Sequence, residues 1–157
     1  MSAKDKRSSF EPRISNRRAL HEYFITHKIE CGIVLVGTEV KAIRQGKASL
    51  QESFAKVEDG ELILHGLHID PYDKASLHNH LPVRERKLLA HKREIAKLGD
   101  ETKPKGVTLI PLALYFKEGK VKVELGVAQG KQDHDKRQSI REKEQKQDIR
   151  RAMTKRM

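Results

Sequence analysis

Asp59-Gly60 commits this chain to antiparallel β-structure. The dipeptide falls between Phe54-Ala-Lys-Val-Glu58 and Glu61-Leu-Ile-Leu-His-Gly-Leu-His-Ile69. A two-residue Asp-Gly loop between apolar-rich runs favours positive φ at both central positions, a turn whose twist matches that of paired strands. Glu118-Gly119 offers a second turn, between Val107-Thr-Leu-Ile-Pro-Leu-Ala-Leu-Tyr-Phe116 and Val121-Lys-Val-Glu-Leu-Gly-Val127. The run after it alternates apolar and charged residues, so one face is buried while Lys122 and Glu124 point out. Pro111 has no backbone donor and predicts an edge or a bulge in its strand. Upstream, Tyr23-Phe-Ile-Thr opens an extended segment that runs through Lys28-Ile-Glu-Cys-Gly32 into Ile33-Val-Leu-Val36. This is a long, bent first strand, with Gly32 the candidate bulge or bend. Five or six mostly antiparallel strands predict a mainly β fold, most simply a small closed barrel, because closure hides the sheet edges.

Helices flank this sheet. In Gly37-Thr-Glu-Val-Lys-Ala-Ile-Arg-Gln-Gly46 the apolar period lengthens, with Val40 and Ile43 three apart. A short helix is predicted, with Thr38 as N-cap, Glu39 at the positive end of its dipole and Gly46 as the left-handed residue past its end. Val40 and Ile43 then face inward, and Lys41 and Arg44 share the outer face. Pro82 predicts the first turn of a second helix reaching about Leu98, with Leu88, Ile95 and Leu98 on one stripe and Gly99 past the end. Its outer face would carry Arg84, Arg86, Lys87, Lys92 and Arg93. Between them, Asp70–His80 has turn residues and no period and reads as a loop.

The two ends differ from the middle. Residues 1–15 are polar, basic and aperiodic and read as a flexible arm, and residues 16–130 hold the folded domain. Residues 131–157 contain no Gly, Pro or aromatic, and their apolar side chains are Ile140, Ile149, Ala152, Met153 and Met157. So lean a segment is expected to be disordered when free, yet its good helix formers and the Glu142/Lys146 spacing predict a helix on a partner. Across 157 residues the net charge is +11, which points to a polyanionic partner, although Lys and Arg also decorate ordinary solvated surfaces. No 18-residue apolar run occurs, so no membrane span or secretory signal is expected and the cytoplasm is the expected compartment. Cys31 stands alone, which excludes an intrachain disulfide and suits a small buried hydrophobe.

Chemistry-bearing patterns are sparse. His65 and His68 fall on one predicted strand at an odd offset, hence on opposite faces, and a lone His78-x-His80 in a loop lacks further ligands. Nucleophile-elbow, phosphate-loop, zinc-protease and dinucleotide patterns are missing. Neither catalysis, a cofactor nor a metal is therefore expected, and a hydrolase built on these histidines is the enzymatic alternative. Basic residues interleaved with aromatics are better represented. Asn16, Arg17, Arg18, Lys41, Arg44, Lys87 and Lys122, with Tyr23 for stacking, fit one patch on a barrel that would take structured RNA. Each cation taken singly also fits a solvated surface.

Four segments, Asn16-Arg-Arg-Ala-Leu-His-Glu-Tyr-Phe-Ile25, Gly37-Thr-Glu-Val-Lys-Ala-Ile-Arg-Gln-Gly-Lys47, Arg86-Lys-Leu-Leu89 and Gly130-Lys-Gln-Asp-His-Asp-Lys-Arg137, together resemble the SmpB family, the tmRNA-binding (SsrA-binding) proteins of bacterial trans-translation. The resemblance runs from about Asn16 through nearly the whole chain. It implies an oligonucleotide-binding (OB) barrel with two or three flanking helices and a basic C-terminal tail unstructured in the free protein. The implied function is that of a non-catalytic, monomeric adaptor that binds the tRNA-like domain of tmRNA and delivers it to stalled ribosomes, with elongation factor Tu engaged through the aminoacylated tmRNA. By motif, Glu30, Leu89 and Lys122 match tmRNA-binding positions, alongside Asn16, Arg17, Arg18, Lys41 and Arg44. Lys131, His134, Asp135, Lys136 and Arg137 match the start of a tail that enters the empty mRNA channel near the small-subunit decoding centre. The sequence departs from the family's pattern at Gln129 and Gln132, where basic residues are usual. A generic single-strand RNA chaperone on the same fold is the alternative within RNA binding.

Overall fold

The alternation read above builds strands in the computed structural model, which describes residues 11–75, 78–131, 141 and 143–152. In chain order these are β1 (Ile14–Ser15), α1 (Arg17–Glu22), β2 (Tyr23–Ile33), α2 (Gly37–Arg44), β3 (Ala48–Ser49), β4 (Phe54–Glu58), β5 (Glu61–His65), β6 (His68–Ile69), β7 (Arg86–Leu89), α3 (Lys92–Glu101), β8 (Val107–Lys117) and β9 (Lys120–Gly130). Residues 143–152 are helical and exposed. The arm expected over 1–15 thus gives its last two residues to the sheet, where Ile14 pairs with Leu114 and Ser15 with Ala113.

The protein is mainly β. Seven antiparallel strands run in the order β1-β8-β4-β5-β7-β2-β9, and β9 pairs again with β8, so the hydrogen-bonding circuit closes at β8 with β1 outside it. Asp59 and Gly60 both have positive φ, as do Glu118 and Gly119, and each pair joins a hairpin. The register shifts between Pro111 and Ala113, so the proline sits at an irregularity that spares the ladder a missing donor. In β2 the shift falls at Ile25/His27 and not at Gly32. Gly32 has another task. It pairs with Lys122 of β9 and with Leu89 of β7, and a Cβ there would stand 3.2 Å from Leu89 Cβ. Inside the circuit lie Leu62, Leu64, Leu88, Leu109, Val123 and Leu125, with Ile43 of α2 and Leu98 of α3. A smaller cluster of Ala19, Ile110, Leu112 and Ala128 takes Tyr23 and Ile25.

The helix predicted from Pro82 to Leu98 is two elements. Arg86–Leu89 alternates buried and exposed and pairs with both β5 and β2, and α3 starts only after His91. Leu88 fits either period, and the unfilled place between β5 and β2 decides. Pro82 uses its carbonyl to accept Ile69 N–H at 2.9 Å. Gly99 lies within α3 and not past its end. His65 and His68 likewise belong to separate strands, because Gly66 turns between them with φ +79, where an added Cβ would lie 2.6 Å from the Glu52 carbonyl oxygen.

The α2 joint follows its sequence with one change. Gly46 has φ +75 and its N–H donates to Ile43 O at 2.8 Å, closing the helix as expected. The N-cap is Val36 and not Thr38. Val36 has no side-chain oxygen to offer, but Glu39 reaches back to accept Val36 N–H at 2.9 Å. Thr38 Oγ1 instead lies 2.9 Å from His80 Nδ1. Because His80 Nε2 faces the Ile69 carbonyl at 3.0 Å, the neutral ring carries its proton on Nε2 and accepts from Thr38.

Candidate functional site

Where β2 passes between β9 and β7, three outward side chains converge. Glu30 lies two residues before Gly32 on the same face, and Leu89 and Lys122 are the register partners of Gly32 itself. Together with His91 and Glu94 they line a recess of about 350 Å³. Leu89, 51 % exposed, and Lys122 also form the wall of an adjoining recess of about 390 Å³ that reaches Ile33, Leu35 and Val40. An exposed leucine, a cation and a carboxylate thus share one concave surface on regular strands.

The carboxylate is held from the far side of β9. Tyr115 Oη donates to Glu30 Oε2 at 2.5 Å, and Lys117 Nζ donates to Oε1 at 3.1 Å. The Tyr115 hydroxyl, then Lys117, keep Glu30 below its ordinary carboxylate pKa. Burial first, then Glu30, push the Tyr115 phenol up to about 12, so its proton stays on the tyrosine at neutral pH. Arg13 lies 5.0 Å over the Tyr115 ring and pairs with Glu124 at 3.1 Å. Lys28 adds a second cation to Glu124 at 3.6 Å. Among these residues the sequence reading missed Tyr115, Lys117 and Arg13. Period 2 puts Tyr115 and Lys117 on one face of β8, but only the register brings that face to Glu30.

The other expected residues are spread more widely than one patch. Arg17 and Arg18 are exposed on α1, Arg18 within 3.5 Å of Glu22. Asn16 is 8 % exposed, and its amide donates to Pro111 O at 3.0 Å and Leu50 O at 3.4 Å, so it fastens the chain before α1 to β8 and to the segment after β3. Tyr23 is half-buried against the smaller cluster, whereas its neighbour Phe24 is 48 % exposed. Strand alternation therefore gives the free aromatic face to Phe24. Lys131 sits beside it, with Nζ 4.8 Å over the ring and its N–H donating to Glu22 O at 2.8 Å. Gln129 is exposed opposite Phe24 in the β2–β9 ladder. Lys41 lies 5.5 Å over Tyr72 and lines a separate recess with Thr38, His78, His80 and Arg84, and Arg44 lies 5.1 Å over Phe116. Lys87 pairs with Glu61 at 3.2 Å. Gln132, His134, Asp135, Lys136 and Arg137 lie outside the described residues.

Beneath α2 is a cluster that the sequence placed on the surface. Arg86 is fully buried and donates through Nε to Glu39 Oε2 at 2.5 Å and through Nη1 to the carbonyls of Leu67 and Arg84 at 2.6 and 3.2 Å. Arg84 reaches the other oxygen of Glu39 at 2.5 Å. Burial pushes the Glu39 carboxyl up, but Arg84, the Val36 N–H and Arg86 outweigh it and leave its pKa lowered. Nothing in the spacing of Glu39 and Arg86 announces this pair. Of the histidines, His65 is engaged by Glu58 at 2.9 Å and stacked on Phe54, and His68 by Asp70 at 2.8 Å. Among the described residues no group of three or more His, Cys, Asp or Glu is placed to hold a metal ion. Cys31 is buried, and burial pushes its thiol up to about 12, which favours the protonated thiol at neutral pH.

Comparison with known proteins agrees with the motifs. The SmpB protein family model matches residues 13–155. An SsrA-binding protein of Geobacillus thermodenitrificans (strain NG80-2) is 53 % identical over 141 residues, covering 90 % of this chain and 91 % of the relative. One from Staphylococcus aureus (strain Newman) is 54 % identical over 138 residues, covering 88 % and 90 %. A solved chain from "tmRNA-SmpB: a journey to the center of the bacterial ribosome" superposes with a TM-score of 0.68 at 48 % identity, over 83 % of this chain and 95 % of that one. With a family model spanning most of its length and relatives more than half identical, the chain belongs to the SmpB family.

Proposed function

We propose that this chain is the adaptor of ribosome rescue: it binds the tRNA-like domain of tmRNA and delivers it to stalled ribosomes for trans-translation and peptide tagging. The observation that carries this reading is the meeting of Glu30, Leu89 and Lys122 around one recess in a member of the SmpB family. Such a surface offers an acceptor for base or ribose donors, an apolar contact for an exposed base and a cation for phosphate, the combination that recognition of folded RNA uses. The return of β9 to β8 supports reading the sheet as an OB-type barrel. Arg17 and Arg18 on α1 and Lys41 and Arg44 on α2 add exposed cations elsewhere on the surface. The chain acts by binding alone, as a cytoplasmic monomer, and meets elongation factor Tu through the aminoacylated RNA.

In this division of labour the folded domain over 16–130 holds the RNA and the tail from Lys131 serves the ribosome. The tail enters the empty mRNA channel as a helix, which residues 143–152 already form without a partner, with Lys131, His134, Asp135, Lys136 and Arg137 near the decoding centre. Lys131 is well placed to fix its starting direction, being tied to Glu22 O and Leu20 O. Deleting Lys131–Met157 should leave binding to the tRNA-like domain largely intact, measured by gel shift, and abolish peptide tagging on ribosomes stalled in a reconstituted translation system. Equal loss of both would overturn the division.

A further inference from the structure

We propose that Tyr115 is a positioning residue for RNA binding that acts through Glu30, its hydroxyl fixing the carboxylate so that unused acceptor positions face the recess. The inference rests on the RNA-binding reading of that recess.

An exposed glutamate on a strand turns freely among its rotamers, and an incoming RNA would have to arrest it. Here the arrest is already made. Glu30 reaches diagonally across β9, past the register position of Lys122, to Tyr115 and Lys117 on β8. A carboxylate has two lone pairs on each oxygen. Tyr115 engages one on Oε2 and Lys117 one on Oε1, which leaves one on each oxygen for donors of a ligand.

The tyrosine is itself held in place. Arg13 covers its ring and is anchored in turn by Glu124, the register partner of Glu30. The groups facing Glu30 are therefore Tyr115 and Lys117 from β8, Glu124 and Lys122 from β9, and His91 and Glu94 across the recess. Among the donors at Glu30, Tyr115 brings orientation without charge. Its removal should change how the carboxylate is presented and not how many cations meet phosphate.

The test uses the full chain, the native protein and the variants Tyr115→Phe, Glu30→Ala, Lys122→Ala and the Tyr115→Phe/Glu30→Ala pair, with a transcript of the tRNA-like domain of tmRNA as probe. Tyr115→Phe keeps the ring under Arg13 and loses one hydrogen bond, so affinity should fall about five-fold. The salt dependence of binding should keep its slope, since no cation is lost. In the Glu30→Ala background the same change should have no effect. In the free protein, the Glu30 carboxyl carbon followed by NMR should titrate at a higher pH in Tyr115→Phe than in the native chain. Persistence of the five-fold loss without Glu30, or an unmoved Glu30 titration, would overturn the proposal. If Glu30→Ala weakens binding and Tyr115→Phe does not, the recess stands and the role of Tyr115 falls. If Glu30→Ala and Lys122→Ala both bind like the native chain, the recess is not the RNA site and the reading beneath falls with it.

Discussion

Glu39 and Glu30 are each one carboxylate gripped by two side-chain donors, and their surroundings give them different work. Glu39 is sealed, and Arg86 beside it is fully buried, so that α2, the strand β7 and the turn before it are tied by three charges, of which only Arg84 reaches the surface. Removing a partner there leaves a desolvated charge with nothing to offset it. Glu30 lies open on the β2–β9 surface, where water and salt screen its partners. Its contacts set direction and contribute little to folding. Formal charge therefore sorts nothing in this chain; depth decides whether an ion pair holds the fold or presents a surface.

Breaking the sealed member should have the largest effect. Glu39→Gln is expected to cost about 3–5 kcal/mol of stability, seen as a lower urea midpoint, because Arg86 is then left buried and unpaired. The matching loss at Glu30→Ala should be too small to shift the midpoint. Acid separates the two in another way. Glu39 has a folded pKa below its unfolded value of roughly 4.3. Its stabilisation is complete above that unfolded value and is lost as pH falls through the folded one. Urea midpoints taken from pH 6 downward should therefore fall less steeply below about pH 4.3 in Glu39→Gln than in the native chain. A midpoint at pH 7 equal to that of the native protein would show that the cluster is dispensable.

Asn16 and Arg17 sharpen the same contrast one position apart. The Asn16 amide serves two buried carbonyls, of which Leu50 O keeps the Ser53 N–H and hydroxyl, so Asn16→Ala should cost about 1–3 kcal/mol chiefly through the bond lost at Pro111 O. Arg17 is exposed, and Arg17→Ala should stay within about 0.5 kcal/mol of native stability while weakening RNA binding. Paired melts and gel shifts would reverse this assignment if Asn16→Ala left stability untouched and lowered affinity alone.

The sequence spoke most clearly at tight turns, where a few adjacent residues set the backbone. Two-residue turns at Asp59-Gly60 and Glu118-Gly119, the bulge at Pro111 and the left-handed Gly46 are properties of a few adjacent residues, and each is where it was expected. The apolar residues of Arg86-Lys-Leu-Leu89 satisfy a helical stripe and a strand alike, and only the place between β5 and β2 settles the matter. Arg86 reads as an outer-face residue because its partner Glu39 is 47 positions away and no local pattern links them. At the recess, Glu30, Leu89 and Lys122 were named through the family resemblance, and the register at Gly32 supplies the physical ground for their meeting. Tyr115 stayed silent because its meaning depends on a strand that is not its neighbour.

Lys41 and Arg44 lie between the sealed and open cases and should give the smallest effects. Both are exposed, yet each already has an aromatic partner in Tyr72 or Phe116. An exposed cation–π pair contributes about 0.5–1 kcal/mol, so each alanine variant should lower stability by no more than that. A cation lying over a ring still carries its full charge and can meet a phosphate without leaving its place. If it does, each alanine variant should reduce the slope of log affinity against log salt by about 0.7–0.9, on top of the small loss of stability. A slope that stays at the native value while stability drops would assign both cations to holding Tyr72 and Phe116 against α2. The basic surface for RNA would then be confined to the β2–β9 recess and α1.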